Sequence, residues 1–348
     1  MKKKLLIPAI FFILIGAFGF ASEAPEKEKG GDLKSEIKAY IRHHLEDTHD
    51  FSIGSYTTEQ GKKKYIGFSL PVILWDNGLV VFPSGKLKHG KAVVETNGAH
   101  YKLYHGKIYK TDSQGTITYD DQHHPVNEKP LDLSMTKSVV TMLATALLMF
   151  LLFRGLARSY ARNGSIAAGV GRFFEPIILY IRDEIAIPNI GEKHHKRYMS
   201  FLLTTFFFIW FLNILGLTPL GINVTGNIAV TFGLALVTFL ITNLTANKNY
   251  WAHIFWMPGV PVLMKIVLAP IELLGVIIKP FSLLIRLYAN MQAGHIVLMS
   301  LIGLMFIFHN WLGSSLSFVL AFAISIIEIL VALLQAYIFT MLSALYFG

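Results

Sequence analysis

Between Val260 and Phe308 the chain is apolar almost without interruption. After a break at His309-Asn310-Trp311-Leu312-Gly313 the pattern resumes from Leu316 to Phe347. A helix crosses about 30 Å of hydrocarbon with roughly 20 residues, and the longest upright spans use about 25. The first segment is about twice that upper limit, so it must tilt strongly, lie partly along an interface, or break. No soluble core is built from runs of this kind. Charged residues make up 15% of the chain, against roughly 25% in soluble domains. The sequence predicts an all-α polytopic membrane protein.

Lys2, Lys3 and Lys4 precede the apolar run Leu5 to Phe20, and Ala21 is followed by polar Ser22-Glu23. That is the pattern of a secretory signal over 1–21, cut after Ala21 or kept as an anchor; either way it exports the polar segment behind it. Residues 22–133 change character. They are polar, with a short amphipathic helix near Leu33 to Leu45 and strand-like runs at Tyr65 to Leu70 and Gly78 to Phe82. Asn97-Gly98 and Ser113-Gln114-Gly115 supply turns. A small β-rich extracytoplasmic insert is expected there.

Five spans come next, over about 135–153, 198–217, 224–244, 260–308 and 316–347. The last two form a long tilted C-terminal helical hairpin. Arg154, Arg158 and Arg162 close the first span. From Arg154 to Arg197 eight Lys or Arg stand against four acids, which assigns this stretch to the cytoplasm. Within it, Phe173 to Ile187 carries apolar residues at helical spacing, as a surface-lying amphipathic helix would. Pro219-Leu220-Gly221 has no basic residue and belongs outside, while Lys248 and Lys265 return the chain to the cytoplasm. Counting from an exported start leaves the C-terminus cytoplasmic.

Lys265, Glu272, Lys279 and Arg286 recur every seven residues inside the fourth span. Seven steps of about 100° miss two turns by about 20°, so the four share one stripe, which Ala293 and Ser300 continue. Each charge near the bilayer centre costs roughly 2.5–3.5 kcal/mol, so the stripe faces a polar cavity or a partner rather than lipid. Lys265 sits near enough to the interface to snorkel. Lys279 shares a face with Glu272 but not a direct contact. Arg286 is too deep to snorkel readily, and its guanidinium stays charged in any environment.

Folding the two long segments back around residue 311 brings Arg286 level with Gln335, and His295 level with Glu328. Deep polar groups need partners, so two matches from one turn support each other. One tension remains. Glu328 and Gln335 share a face, whereas His295 lies about 180° around the helix from Arg286. A local break at Gly294 would reconcile the two pairs.

The run Ser282-Leu283-Leu284-Ile285-Arg286-Leu287-Tyr288-Ala289-Asn290-Met291-Gln292-Ala293-Gly294-His295 resembles subunit a of rotary ATP synthases. Glu328 to Phe339 resembles its partner motif. Weaker echoes are Tyr40 to Leu45, Asn213 to Leu217 and Asn223 to Leu236, so the likeness covers about 130–348 plus that short N-terminal stretch. It implies that Arg286 is the essential stator arginine facing a rotor carboxylate. It also implies that Asn290, His295, Glu328 and Gln335 line the outer proton path. Glu272 and Lys279 match positions nearer the cytoplasm, with Glu272 the better exit candidate. Some members carry an acid where His295 stands and a histidine where Glu328 stands; either order keeps one acid and one imidazole. The implied partners are the c-subunit rotor ring, the peripheral-stalk b subunits, the remainder of the ATP synthase complex, the lipid bilayer and the transported proton. No cofactor is implied. The insert from Phe51 to Glu128 has no counterpart in many members.

Other classes fit less well. The net charge of +9 flanks apolar segments instead of forming an aromatic-laced patch, which argues against nucleic acid. Without cysteine, thiol chemistry and Cys-ligated metals are excluded. His43-His44, His123-His124 and His194-His195 are adjacent pairs that point to different helix faces, a poor arrangement for a metal. A stand-alone secondary transporter would show repeated halves with broken helices, and the sequence has no such repeat.

Overall fold

The computed structural model describes residues 35, 37–38, 41, 45–57, 63–122, 124–163, 169, 171–218, 222–246, 248–256, 262–308 and 310–347. The expected signal segment, the Pro219-Leu220-Gly221 turn and most of the 33–45 helix lie outside them. The described residues fall into two compact units divided near Leu143, one rich in strands and one helical.

Strands whose alternate residues turn into a shared core build the first unit. Its strands are β1 (Asp50–Thr57), β2 (Lys63–Ser69), β3 (Pro71–Trp75), β4 (Leu79–Pro83), β5 (Val93–Thr96), β6 (Ala99–Tyr104), β7 (Lys107–Thr111) and β8 (Leu131–Asp132). They form a β1–β2 hairpin and two three-stranded antiparallel sheets, β4–β3–β8 and β5–β6–β7. Val72, Leu74, Val80 and Phe82 point inward to meet Leu87, Val94, Tyr101 and Ile108 in one core. Asn97-Gly98, with φ of 55° and 76°, makes the two-residue turn between β5 and β6 that the sequence signalled. Positive φ at both positions is what a twisted hairpin of this length requires. His105-Gly106 makes the same kind of turn between β6 and β7.

The second unit is helical: α1 (Lys137–Asn163, its first turns in the β unit), α2 (Gly171–Tyr180), α3 (Ile187–Ile190), α4 (His195–Gly216), α5 (Ile228–Thr245), α6 (Lys248–Phe255), α7 (Val262–Ile307) and α8 (Trp311–Phe347). Five of them, α1, α4, α5, α7 and α8, are long and apolar enough to cross a membrane. The chain is thus a mostly helical multi-pass membrane protein with small β elements ahead of its spans.

Three details differ from the expectation. Arg154, Arg158 and Arg162 do not close α1, which runs on to Asn163; Arg is a good helix former and can extend past the hydrocarbon into water. The segment from Phe173 to Ile187 is helical but contains a π-helical turn, Ile181–Ala186, that joins α2 to α3. Ile181, Ile185 and Ala186 are fully buried against the core that α4 and α8 share, so this helix is part of the fold as well as a surface element. Third, α7 is one continuous helix of 46 residues with Pro270 and Pro280 inside it. Gly294 does not break it. At about 1.5 Å per residue α7 is roughly 70 Å long, more than twice the hydrocarbon thickness, which leaves steep tilt or emergence at an end.

Candidate functional site

Along α7 the side chains sort into two opposed faces. Val276, Leu283, Leu284, Leu287, Met291 and His295 are buried, while Lys279, Arg286, Asn290, Ala293 and Ser300 are exposed. The seven-residue stripe of the sequence therefore points out of the chain, with Lys265 and Glu272 half-buried at its other end. Lys265 places its ammonium 4.6 Å from the Trp256 ring centroid. Lys279 lies 5.3 Å over the Tyr346 ring of α8 and makes no ion pair with Glu272. Among the described residues Arg286 has neither an ion pair nor a hydrogen bond. An uncompensated guanidinium halfway along an apolar helix requires a partner from elsewhere.

The tension between the two predicted pairs resolves without a break. Arg286 and His295 do lie on opposite faces: Arg286 is exposed, and His295 is 3% exposed. Glu328 and Gln335, 8% and 4% exposed, share the inward face of α8. The predicted depth match appears at Gly294, where a Cβ would collide with the Glu328 carboxylate oxygen Oε1. Glu328 thus seats its carboxylate on bare backbone one residue from His295. Arg286 and Gln335 are not joined by a hydrogen bond. Among the described residues, His295 Nε2 and Glu328 Oε2 are buried without hydrogen-bond partners. Leaving such atoms unpaired costs about 1–3 kcal/mol each, which stability alone does not explain.

A polar belt holds this region together. Asn213, fully buried on α4, donates from Nδ2 to the Ala332 carbonyl of α8 at 3.3 Å, between Glu328 and Gln335 along the helix. Its Oδ1 accepts from Thr225 Oγ1 at 2.7 Å. Asn223 donates to Gln292 Oε1 of α7 at 3.2 Å and accepts from the Gly226 amide at 2.9 Å. Gly226 is required here, because a Cβ would overlap the Asn223 side chain. Sequence reading assigns Asn213 and Asn223 no role beyond a family echo and passes over Thr225 and Gln292. Their signal was available: amides and hydroxyls in apolar helices seek partners across helices.

On the Lys279 side an open cleft of about 250 Å³ is lined by Thr238, Thr242, Asn243, Tyr250, Lys279 and Tyr346 among apolar neighbours. Asn243 Oδ1 is buried there without a partner among the described residues. Tyr250, on the short helix α6, has its phenol pushed above the usual range by burial and then by the nearby Glu272 charge. These lining residues were not foreseen, because α6 and the α5 end approach α7 only in the folded chain. No group of three or more His, Asp or Glu is placed to hold a metal among the described residues.

Residues 139–348 match the family model of the ATP synthase A chain, and residues 40–133 match a domain of unknown function, DUF8433. The chain is 45% identical to ATP synthase subunit a of Myxococcus xanthus over 63% of its length and 73% of that protein's. It is 42% identical to ATP synthase subunit a of Chloroherpeton thalassium, over 62% of this chain and 66% of the relative. With ATP synthase subunit a 2 of Prosthecochloris aestuarii it shares 36% identity over 80% of its length and 90% of the relative's. A match spanning all five membrane helices, at these identities, means that the chain belongs to the ATP synthase A chain family.

Proposed function

We propose that this chain is the proton-translocating stator subunit of an ATP synthase membrane sector. It would reside in a bacterial inner membrane with its β-rich insert outside and its C-terminus in the cytoplasm. The observation that carries the reading is the exposed Arg286 on the outer face of α7, unpaired among the described residues and backed by the buried Glu328 and His295 on the inner side. A c-subunit rotor ring passing the outer face would bring a carboxylate to Arg286. The guanidinium holds that carboxylate ionised by opposite charge and so favours proton release as it arrives. Because arginine does not give up its own proton, it also keeps the two half-paths from joining.

His295 and Glu328 supply an imidazole and a carboxyl that can relay protons on the outer side. Asn290 and Gln335 have amides, which position water or carboxylate without titrating. The cleft beside Lys279, with Glu272 near Tyr250, is the proposed cytoplasmic half-path. Driving force is about 2.3 kcal/mol per charge per 100 mV. Peripheral-stalk b subunits would hold this chain against the rotor's drag.

Arg286→Ala tests the reading. The complex should assemble with its rotor ring, and ATP-driven acidification of vesicles should fall to the uncoupled background. Normal acidification by that variant would sink the proposal.

A further inference from the structure

In the β4–β3–β8 sheet, one face is core and the other is apolar and, among the described residues, largely exposed. Val72 pairs with Phe82 and Leu74 with Val80 on the buried face, while Ile73 pairs with Val81 and Trp75 with Leu79 on the other. Trp75 also pairs with Leu131 of β8, and Leu133 continues the line by donating its amide to the Ile73 carbonyl. Trp75, Leu79, Val81, Leu131 and Leu133 are 57%, 58%, 52%, 61% and 57% exposed. The neighbouring β5–β6–β7 sheet provides the contrast. Its corresponding pairs include Glu95 with His100 and Tyr104 with Lys107. The bare apolar face is thus particular to one sheet. Contiguous patches of this kind mark interaction sites.

Backbone continuity indicates what covers it. Met135 donates to the Pro71 carbonyl, Lys137 donates to Thr48, and Ser138 donates to the Asp47 carboxylate. The sheet is therefore tied to Met135, two residues before α1, a helix long and apolar enough to cross a membrane, while the first amides of α1 bond to the Asp47–Thr48 segment ahead of β1. Leu143, two turns further on, is 56% exposed. The apolar face thus lies close along the chain to the start of a candidate span, and at one end of β3, between Leu79 and Leu131, it carries Trp75, a side chain of the kind that settles at the headgroup level.

We infer that the outer face of the β4–β3–β8 sheet docks on the lipid surface beside the first span, with Trp75, Val81 and Leu131 in the headgroup–acyl boundary. Geometry adds a condition. Trp75 is four residues from Pro71, about 13 Å along a strand, whereas the interfacial layer on one side is only about 5–8 Å thick. The strands must run close to the membrane plane, so Trp75 and Leu133 sit at similar depth. The inference requires only that α1 crosses the membrane, and the outcome for Arg286 does not bear on it.

The chain has no cysteine, so single-cysteine probes are available on the full chain within its complex. Trp75→Cys, Val81→Cys, Leu131→Cys and Leu133→Cys, with Asp121→Cys as a water-exposed control, would carry an environment-sensitive fluorophore. The vesicles would be of phosphatidylethanolamine and phosphatidylglycerol. Lipids brominated near the glycerol should quench all four sheet probes at least fivefold more than the control, and aqueous iodide should do the reverse. If Trp75→Cys impairs assembly, Leu79→Cys reports the same face. Iodide quenching of the sheet probes equal to that of Asp121→Cys would overturn the inference. So would shielding from both quenchers, which would mean that a protein covers the face.

Discussion

In the β unit, Asp76 accepts from Lys110 at 3.2 Å and from Tyr101 at 2.8 Å. Asp50 accepts from Ser84 and faces His89 at 3.2 Å, and Asp132 faces His49 at 2.9 Å. Burial works to raise Asp50 and Asp132, but hydrogen bonds, chiefly from His89 and Ser84 to the first and from His49 and Ser134 to the second, hold both below the ordinary range. The helical unit treats its buried acid differently. Glu328 has one oxygen against Gly294 and the other without a hydrogen-bond partner among the described residues. The first arrangement spends carboxylates on holding strands together, since a satisfied acid adds to stability. The second keeps a carboxyl at a cost in stability, which selection tolerates where a group must exchange protons.

That contrast breaks first at Glu328 and His295. Glu328→Gln and His295→Ala should each lower ATP-driven proton transport by at least about tenfold, in keeping with the loss of a positioned proton carrier. The complex should still assemble, because neither side chain anchors a hydrogen-bond network. If the two act as one relay, the double variant should be little worse than the poorer single one, since coupled sites do not add. Additive losses, measured as initial acidification rates, would separate them into independent roles. A Glu328→Gln complex that fails to assemble would instead place Glu328 with the structural acids of the β unit.

Much of this site was legible because membranes make polar residues conspicuous. Arg286, Glu328, His295 and Gln335 stood out as polar groups in apolar segments, and the fold-back at residue 311 brought Glu328 level with the Gly294–His295 stretch, where the structure has it. The facing of the site was legible only in part. Seven-residue spacing placed Lys279 and Arg286 on one stripe, and the structure turns that stripe outward. Arg286 and Gln335 are not hydrogen-bonded to each other, since equal depth fixes height and leaves rotation free. The belt through Asn213, Thr225, Asn223 and Gln292 needed the fold, since its bonds join residues up to 119 positions apart. In the β unit the turns were readable from Asn-Gly, whereas the β4–β3–β8 pairing was not, because β8 returns after more than forty intervening residues.

Gly294→Ala offers a gentler probe. Alanine is about 1 kcal/mol better than glycine inside a helix, so α7 itself should gain. Only the flexible end of Glu328 obstructs the new methyl, so assembly and thermal stability should be unchanged or slightly improved. Transport should nevertheless fall several-fold, because the carboxylate must leave its seat beside His295. Shortening the acid in the double variant Gly294→Ala, Glu328→Asp should recover part of the loss. Unchanged transport in Gly294→Ala would show that the seat itself does not matter.

The smallest effect sharpens the other side of the comparison. Tyr101, 1% exposed, has its phenol pushed up to about 12 by burial and then by its hydrogen bond to Asp76. A raised value in the folded state gives stability that is complete below the ordinary phenol range near 10 and is lost as pH rises toward about 12. Hydrogen bonds from Lys110 and then Tyr101 hold Asp76 low. Its contribution is therefore complete above about pH 4 and lost as pH falls below that. Tyr101→Phe removes one bond to Asp76 and leaves Lys110 in place, so the cost at neutral pH should be about 1 kcal/mol. Amide exchange of β6 and β7 in the full chain would report it. Between pH 10 and 12 the parent should lose protection while the variant stays nearly level, and the acid limb should shrink without vanishing. A variant that still loosened steeply above pH 10 would move the alkaline sensitivity to another group and take Tyr101 out of the set of structural partners.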